Sequence, residues 1–307
     1  VAKRAAVAAL FLFGFALAWV RIGDVGSGAG ARGERIHGGG ARIHDDGRSF
    51  HVAWPSEGET AVTVQGVGFL GSSGGNRPVP IASVAKAMTA YLVLKDDPLG
   101  PGEEGFTMTI GPADVEELHR RLELNQSVVA VEAGEVLSER DALEALLLPS
   151  ANNVAALLAV HEAGSVEAFV EEMNEAAAEL GMEDTRYTDP SGFDDTTVST
   201  AADQLKLARA AMADPTFAEI VALPSAWLPV AGEVRNLNAL VGHEGFVGIK
   251  TGSDDAAGGC LLFAQRIEID GRPRLLLGAV LGQREGDFIQ AALTSTQRLA
   301  ASVAATG

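Results

Sequence analysis

The run Ile81 to Leu94 is apolar on nearly every face and contains neither Gly nor Pro. A helix without a polar stripe has no side to give to water, so it has to lie at the protein centre with other elements packed around it. A chain of 307 residues with 47% hydrophobic content can build that surrounding core, as one large domain or two modest ones. Lys86 is the discordant residue of the run. Burial disfavours its ammonium form, and Ser83 stands three residues earlier on the same helical face.

Elements are expected on both sides of this helix. A strand-like stretch covers Thr60 to Leu70, ahead of a Gly/Ser turn and Pro78-Val79-Pro80. A helix is expected at Ser138 to Leu148, where Ser138 and Asp141 form a capping-box-like start and Pro149 a stop. Helical patterns recur at Val154 to Ala163, Val166 to Leu180 and Thr200 to Met212. The last third reads as strands at Val247 to Thr251, Gly259 to Ile269 and Arg274 to Leu281, the final two joined through Asp270-Gly271, before a closing helix at Gly286 to Ala304. Strands before and after a helical block imply an α+β domain with an antiparallel sheet.

The N-terminus differs in character. Lys3 and Arg4 precede an uncharged apolar run from Ala5 to Val20, the order of an export signal, and Ala16-Leu17-Ala18 offers a small-x-small cleavage site. The run is at the short edge for a membrane span (~17 to 25 residues) and long for a signal core (~7 to 15), so a cleaved leader and a retained anchor both fit. From Gly23 to about Gly47 the chain is Gly-rich and aperiodic, as a flexible tether would be. The expected division is therefore a signal or membrane anchor over residues 1–20, a linker over 21–48 and a folded domain over 49–307, facing outside the cytoplasm. Gly28, Gly30 and Gly33 match G-x-G-x-x-G, but no strand precedes and no amphipathic helix follows, so no dinucleotide site is expected. Gly71, Ser73 and Gly75 spell G-x-S-x-G without the strand-to-helix elbow that motif needs, which leaves Ser73 as a turn residue.

Charge and composition exclude further classes. A net charge of −18 repels polyanions and no basic patch offsets it, so nucleic acid is not an expected partner. Cys260 is alone, which rules out an internal disulfide. His37, His44 and His51 lack a short ligand spacing, and neither metal nor other cofactor is expected.

Three short motifs carry the chemistry. Ser83-Val84-Ala85-Lys86 pairs a hydroxyl with an amine that burial can deprotonate, which is what a serine nucleophile needs from a base. Ser150-Ala151-Asn152 falls in the break behind Pro149, where side chains can point into a cleft; its plain alternative is an N-cap for the next helix. Lys250-Thr251-Gly252 ends a strand, and its glycine permits a close backbone approach. S-x-x-K alone arises roughly once by chance in a chain of this size. The joint occurrence of all three, in order and each on a suitable element, is the informative fact; this trio is shared by class A β-lactamases and penicillin-binding proteins.

On these residues the chain resembles the low-molecular-mass penicillin-binding D-alanyl-D-alanine carboxypeptidases. PIASVAKAMTAYLVL is similar to that family's nucleophile helix, LEALLLPSANNVAALLA to its second motif and GFVGIKTGSDDAAGGCLL to its third. FVEEMNEAAAELGMEDTRYTDPSGF also resembles a family stretch, and the likeness runs from about Thr60 to Ala300. The resemblance implies a penicillin-recognising serine enzyme fold, an antiparallel sheet flanked by helices with an all-helical subdomain. It implies peptidoglycan stem peptides ending in D-Ala-D-Ala as substrates and β-lactams as inhibitors. In it Ser83 would attack the penultimate D-Ala carbonyl with Lys86 as base, Ser150 and Lys250 would carry a proton to the leaving D-Ala, and Asn152 would hold the substrate amide. Backbone N–H groups of Ser83 and Ser253 would form the oxyanion hole, Thr251 would bind the terminal carboxylate with Gly252 beside it in the substrate site, and Arg284 is the arginine close to the last strand of the kind family members often provide for that carboxylate. Two other readings share the trio: a class A-like β-lactamase, whose Glu-x-x-x-Asn pattern is absent from Met182 to Thr200, and a non-catalytic peptidoglycan- or penicillin-binding module.

Overall fold

The structure, a computed structural model, describes residues 41–45, 48–100 and 102–305. A hairpin of β1 (Ala41–Asp45) and β2 (Arg48–Val52) leads to β3 (Glu59–Val64), β4 (Gly68–Ser73) and the short β5 (Val79–Pro80). A single 3-10 turn, Ala82–Ala85, opens directly into α1 (Lys86–Asp96). The helical part follows: β6 (Thr107–Thr109), α2 (Pro112–Glu123), β7 (Val136–Ser138), α3 (Glu139–Leu147), α4 (Asn152–Ala163) and α5 (Val166–Glu179). The chain then returns through β8 (Val198–Ser199), α6 (Ala201–Ala211), α7 (Pro215–Val221), β9 (Ser225–Leu228) and β10 (Gly232–Arg235). It ends with β11 (Phe246–Asp254), β12 (Gly258–Ile269), β13 (Arg272–Gln283) and α8 (Phe288–Ala304).

The main sheet has five antiparallel strands in the order β11-β12-β13-β3-β4. Side chains alternate across a strand, and both faces are covered. Cys260, Leu262 and Ala264 of β12 join the core around α1, whereas Leu261, Phe263, Ile267 and Ile269 join a second core under α8 and β2. That explains why the strand sequences read as nearly continuous apolar runs. Helix α1 packs against α3, α4, α5, α6, α7 and β11, and Ala87, Met88, Ala90 and Val93 are fully buried. Burial of that kind contributes roughly 1.5–3 kcal/mol for each large apolar side chain.

Local chemistry sets several boundaries as the sequence suggests. Ser138 Oγ accepts from the Asp141 N–H at 3.1 Å and the Asp141 carboxylate accepts from the Ser138 N–H at 3.0 Å, a reciprocal cap on α3. The β12–β13 turn has Asp270 at φ 51° and Gly271 at φ 68°, the paired positive values a tight hairpin of this kind requires.

Other expectations change. Thr60 to Leu70 is a hairpin rather than one strand, reversed at Gly66 (φ 75°), and Ser73 is the last residue of β4, paired with Thr60, rather than a turn residue. The buried helix begins as a 3-10 turn behind Ala82, whose φ of 45° breaks regular helix. Helix α4 is entered through Ala151 with no side-chain cap, so neither Ser150 nor Asn152 is its N-cap. Helices α2 and α7, each with proline at its start, were not foreseen. The end of the expected linker, residues 41–45 and 48, pairs in the β1–β2 hairpin. The expected leader and the rest of the linker lie outside the described residues, among which no helix is long and apolar enough to cross a membrane.

Candidate active site

Ser83 sits in the 3-10 turn and Lys86 is the first residue of α1, so the i, i+3 spacing brings the two side chains together. Lys86 Nζ lies 2.8 Å from Ser83 Oγ and donates to the Ser191 carbonyl at 2.8 Å. Lys86 has no exposed surface. Burial holds its amine well below the ordinary lysine value, and the Lys250 charge lowers it further against a smaller opposing pull from Asp189.

Lys250 arrives from the sheet. In β11 it pairs with Leu262, whose side chain belongs to the α1 core, which puts Lys250 on the same face. It is 1% exposed, donates to the Thr251 carbonyl at 3.0 Å, and burial brings its amine down to about 7. Thr251 is buried and pairs with Leu261 on the alternate side of the strand, while the Ser253 side chain is exposed. Gly252 has a role the sequence only hinted at. A Cβ there would stand 2.9 Å from the backbone nitrogens of Ser83 and Val84 and from the Ile81 carbonyl oxygen, so the missing side chain is what lets β11 lie against the nucleophile turn.

The third motif comes from the helical part. Ser150 is buried at φ 70°, an unusual conformation for a residue with a side chain, and its Oγ has no hydrogen-bond partner. Asn152 donates from Nδ2 to Gln126 Oε1 at 2.8 Å, while its Oδ1 is buried without a partner. The neighbouring Asn153 clamps the loop in front of α4, accepting from the Val129 N–H at 3.1 Å and donating to the Val129 carbonyl at 3.0 Å. A cavity of about 300 Å³ lined in part by Gln126, Asn152, Asp189, Ser191 and Phe193 joins Asn152 to the loop that holds Lys86.

In the sequence that loop shows a family likeness and, in Asp189, one of the few carboxylates open to the β-lactamase reading, but no role in the acyl-transfer site. Asp189 organises the loop: the carboxylate accepts from the N–H groups of Ser191, Gly192 and Phe193 and from the hydroxyls of Ser191 and Thr197. The result fixes the Ser191 carbonyl that holds Lys86 Nζ. Gly192, at φ 75°, has no room for a Cβ against the Ala82 carbonyl, so the loop packs onto the nucleophile turn. Arg284 directly follows β13. Its guanidinium donates to the carbonyls of Asp255 and Ala256 in the β11–β12 turn, and its N–H to Glu57.

A hydroxyl beside a buried amine, with a second buried amine whose charge bears on the first, is suited to nucleophilic acyl transfer with internal proton movement. Comparison with known proteins agrees. Residues 66–277, more than half of the chain, match the peptidase S11 family, D-alanyl-D-alanine carboxypeptidase. The D-alanyl-D-alanine endopeptidase of Escherichia coli is 33% identical over 64% of this chain, a match spanning 62% of the relative's own length. The D-alanyl-D-alanine carboxypeptidase DacB2 of Mycobacterium tuberculosis is 40% identical over 44% of this chain and 53% of its own. Among solved structures, the Streptomyces K15 DD-transpeptidase superposes with a TM-score of 0.69 at 26% identity, covering 80% of this chain and 96% of that one. A penicillin-binding protein homologue of Mycobacterium tuberculosis gives 0.66 at 30% identity, covering 85% and 95%.

Proposed function

The chain belongs to the D-alanyl-D-alanine carboxypeptidase family of penicillin-binding serine peptidases and has their penicillin-recognising fold; from that premise we propose that it releases the terminal D-Ala of peptidoglycan stem peptides through an acyl-enzyme on Ser83. The observation that carries the reading is the 2.8 Å approach of Lys86 Nζ to Ser83 Oγ at a lysine with no exposure.

An ordinary lysine is almost wholly protonated near neutral pH and cannot accept a proton. Lys86, lowered by burial and by Lys250, offers its lone pair to the Ser83 hydroxyl while an N–H remains on the Ser191 carbonyl. Ser83 Oγ then attacks the carbonyl carbon of the penultimate D-Ala, its proton passing to Lys86. The oxyanion faces the N–H groups of Ser83 and Ser253, an interaction worth about 3–4 kcal/mol for each donor in comparable sites. Collapse breaks the peptide bond, and Ser150 with Lys250 returns a proton to the departing D-Ala amine. Water releases the acyl group and restores Ser83. The family likeness gives the terminal carboxylate to Thr251, which in β11 lies on the face opposite Lys250. Such a substrate places the reaction outside the cytoplasm, consistent with the export-like order of residues 1–20, whether these are cleaved or retained as an anchor. β-Lactams would acylate Ser83 by the same steps. The β-lactamase reading is not favoured: Asp189, the carboxylate whose charge acts on Lys86, is already engaged by the donors of its own loop.

The Escherichia coli relative is named for endopeptidase activity, and the same acyl-enzyme chemistry serves if the leaving amine belongs to a cross-linked neighbour. Incubation with a monomeric pentapeptide and with a cross-linked dimer, each followed by mass spectrometry, separates the two outcomes. Ser83→Ala is expected to abolish both reactions and all labelling by a fluorescent penicillin while the protein stays folded. Covalent labelling that persists in that variant would refute Ser83 as nucleophile.

A further inference from the structure

Asn152 is a symmetric-looking carboxamide that could present either its oxygen or its nitrogen to the cleft, and nothing in its own motif decides which. The answer lies outside the motif. Arg121 lies against Glu117 in an i, i+4 ion pair on α2, Nε 2.7 Å from Oε1, although the Nε–H is not aligned for a hydrogen bond. Arg121 Nη1 donates to Gln126 Oε1 at 2.9 Å, and the same oxygen accepts from Asn152 Nδ2 at 2.8 Å. Arginine has only donors, so the atom of Gln126 that faces it has to be the oxygen. That oxygen in turn accepts only from a donor, so Asn152 has to turn Nδ2 toward it. Carboxamide geometry then sends Oδ1 along the other branch, where it is buried and without a partner. A second tie fixes the backbone, since the Asn152 N–H donates to the Ser127 carbonyl at 2.7 Å, next to Gln126.

We propose that Gln126 and Arg121 are positioning residues: a polarity chain running from Glu117 through Arg121 and Gln126 fixes the Asn152 carboxamide so that its oxygen is the atom offered to a donor in the cleft. The inference rests on the acyl-transfer reading above and adds to it a requirement about which atom Asn152 presents. It predicts that position 126 needs an acceptor and not a particular volume. A carboxylate there keeps the orientation, because it can only accept; a methionine of similar length lets the carboxamide turn over.

The test measures second-order acylation of the full chain by a fluorescent penicillin, across the neutral to alkaline range, for the unsubstituted protein, Gln126→Glu and Gln126→Met. Gln126 lies in a half-exposed loop after α2, and thermal melting of each variant checks the fold. Gln126→Glu is expected to reach a plateau rate within threefold of the unsubstituted protein, and Gln126→Met to fall at least tenfold with an unchanged melting temperature. Arg121→Met, which frees Gln126 to present its nitrogen, is expected to be slower than Arg121→Lys, which retains a donor. A Gln126→Met variant that acylates at the unsubstituted rate, or a Gln126→Glu variant as slow as Gln126→Met, overturns the polarity chain and leaves the acyl-enzyme reading standing. Absence of labelling in the unsubstituted protein overturns both.

Discussion

Replacing Lys250 by methionine is expected to stop turnover and to make the protein more stable. Lys250 is 1% exposed, and burial brings its amine from 10.5 to about 7. At ~1.4 kcal/mol for each tenfold change in proton affinity, that fall amounts to ~5 kcal/mol. The sign follows from proton counts. Between pH 7 and 10.5 the unfolded chain holds a proton that the folded chain has released, so stability rises with pH through this window. The cost of burying the lysine is fully present below about 7 and absent above 10.5. The hydrogen bond from Lys250 to the Thr251 carbonyl offsets ~1 kcal/mol. Methionine fills much of the same volume without a charge, so Lys250→Met is expected to gain about 3–4 kcal/mol near pH 7 and to lose that advantage as the pH approaches 10.5. Urea titrations of both proteins at several pH values between these limits measure the difference directly. A variant that is no more stable at pH 7, or one whose advantage is the same at every pH, refutes burial of the amine as the source of the cost.

Lys86→Arg retains the charge but cannot give up its proton; acylation by a penicillin is expected to fall by about 100-fold or more, the scale of a lost general base. In the unsubstituted protein the acylation rate is expected to rise with a midpoint well below that of a free lysine, and a stopped-flow pH profile of both proteins checks the pair. Gly192→Ala forces a side chain into a left-handed conformation against the Ala82 carbonyl, with strain of about 1–2 kcal/mol before any clash. It is expected to lower the melting temperature by several degrees and to slow acylation as the Ser191 carbonyl moves off Lys86; unchanged values of both would show that the loop does not position the lysine.

The central helix was readable because Ile81 to Leu94 has no face for water, and the β12–β13 hairpin because Asp270-Gly271 is turn chemistry. What escaped is what local pattern does not encode. Gly66 splits the first strand stretch, but apolar residues on either side of it read through the turn. Helix α2 did carry signals, with Pro112 at its first position and Glu117 four residues before Arg121. At the site, Ser83 and Lys86 are three residues apart and visible as a pair. The Ser191 carbonyl is 105 residues from Lys86 and contributes only a backbone oxygen, which has no sequence signature. Gln126 is likewise recognisable only once α4 has folded back onto its loop. Arg284 is legible as an arginine next to the last strand, but the Asp255 and Ala256 carbonyls that its guanidinium meets are backbone atoms with no sequence signature.

The contact at Gly252 has a mechanical meaning. Where β11 crosses the nucleophile turn, no side chain is interposed, and backbone nitrogens of Ser83 and Val84 stand 2.9 Å from the point a methyl group would occupy. The gauge of the reaction gap at this end is therefore set by the radii of main-chain atoms, the dimension of a protein least open to drift by substitution. Residues on the outer faces of the sheet and of the helical part can vary in size without altering it. Any side chain at Gly252 acts as a shim, pushing the lysine-bearing strand away from the serine-bearing turn.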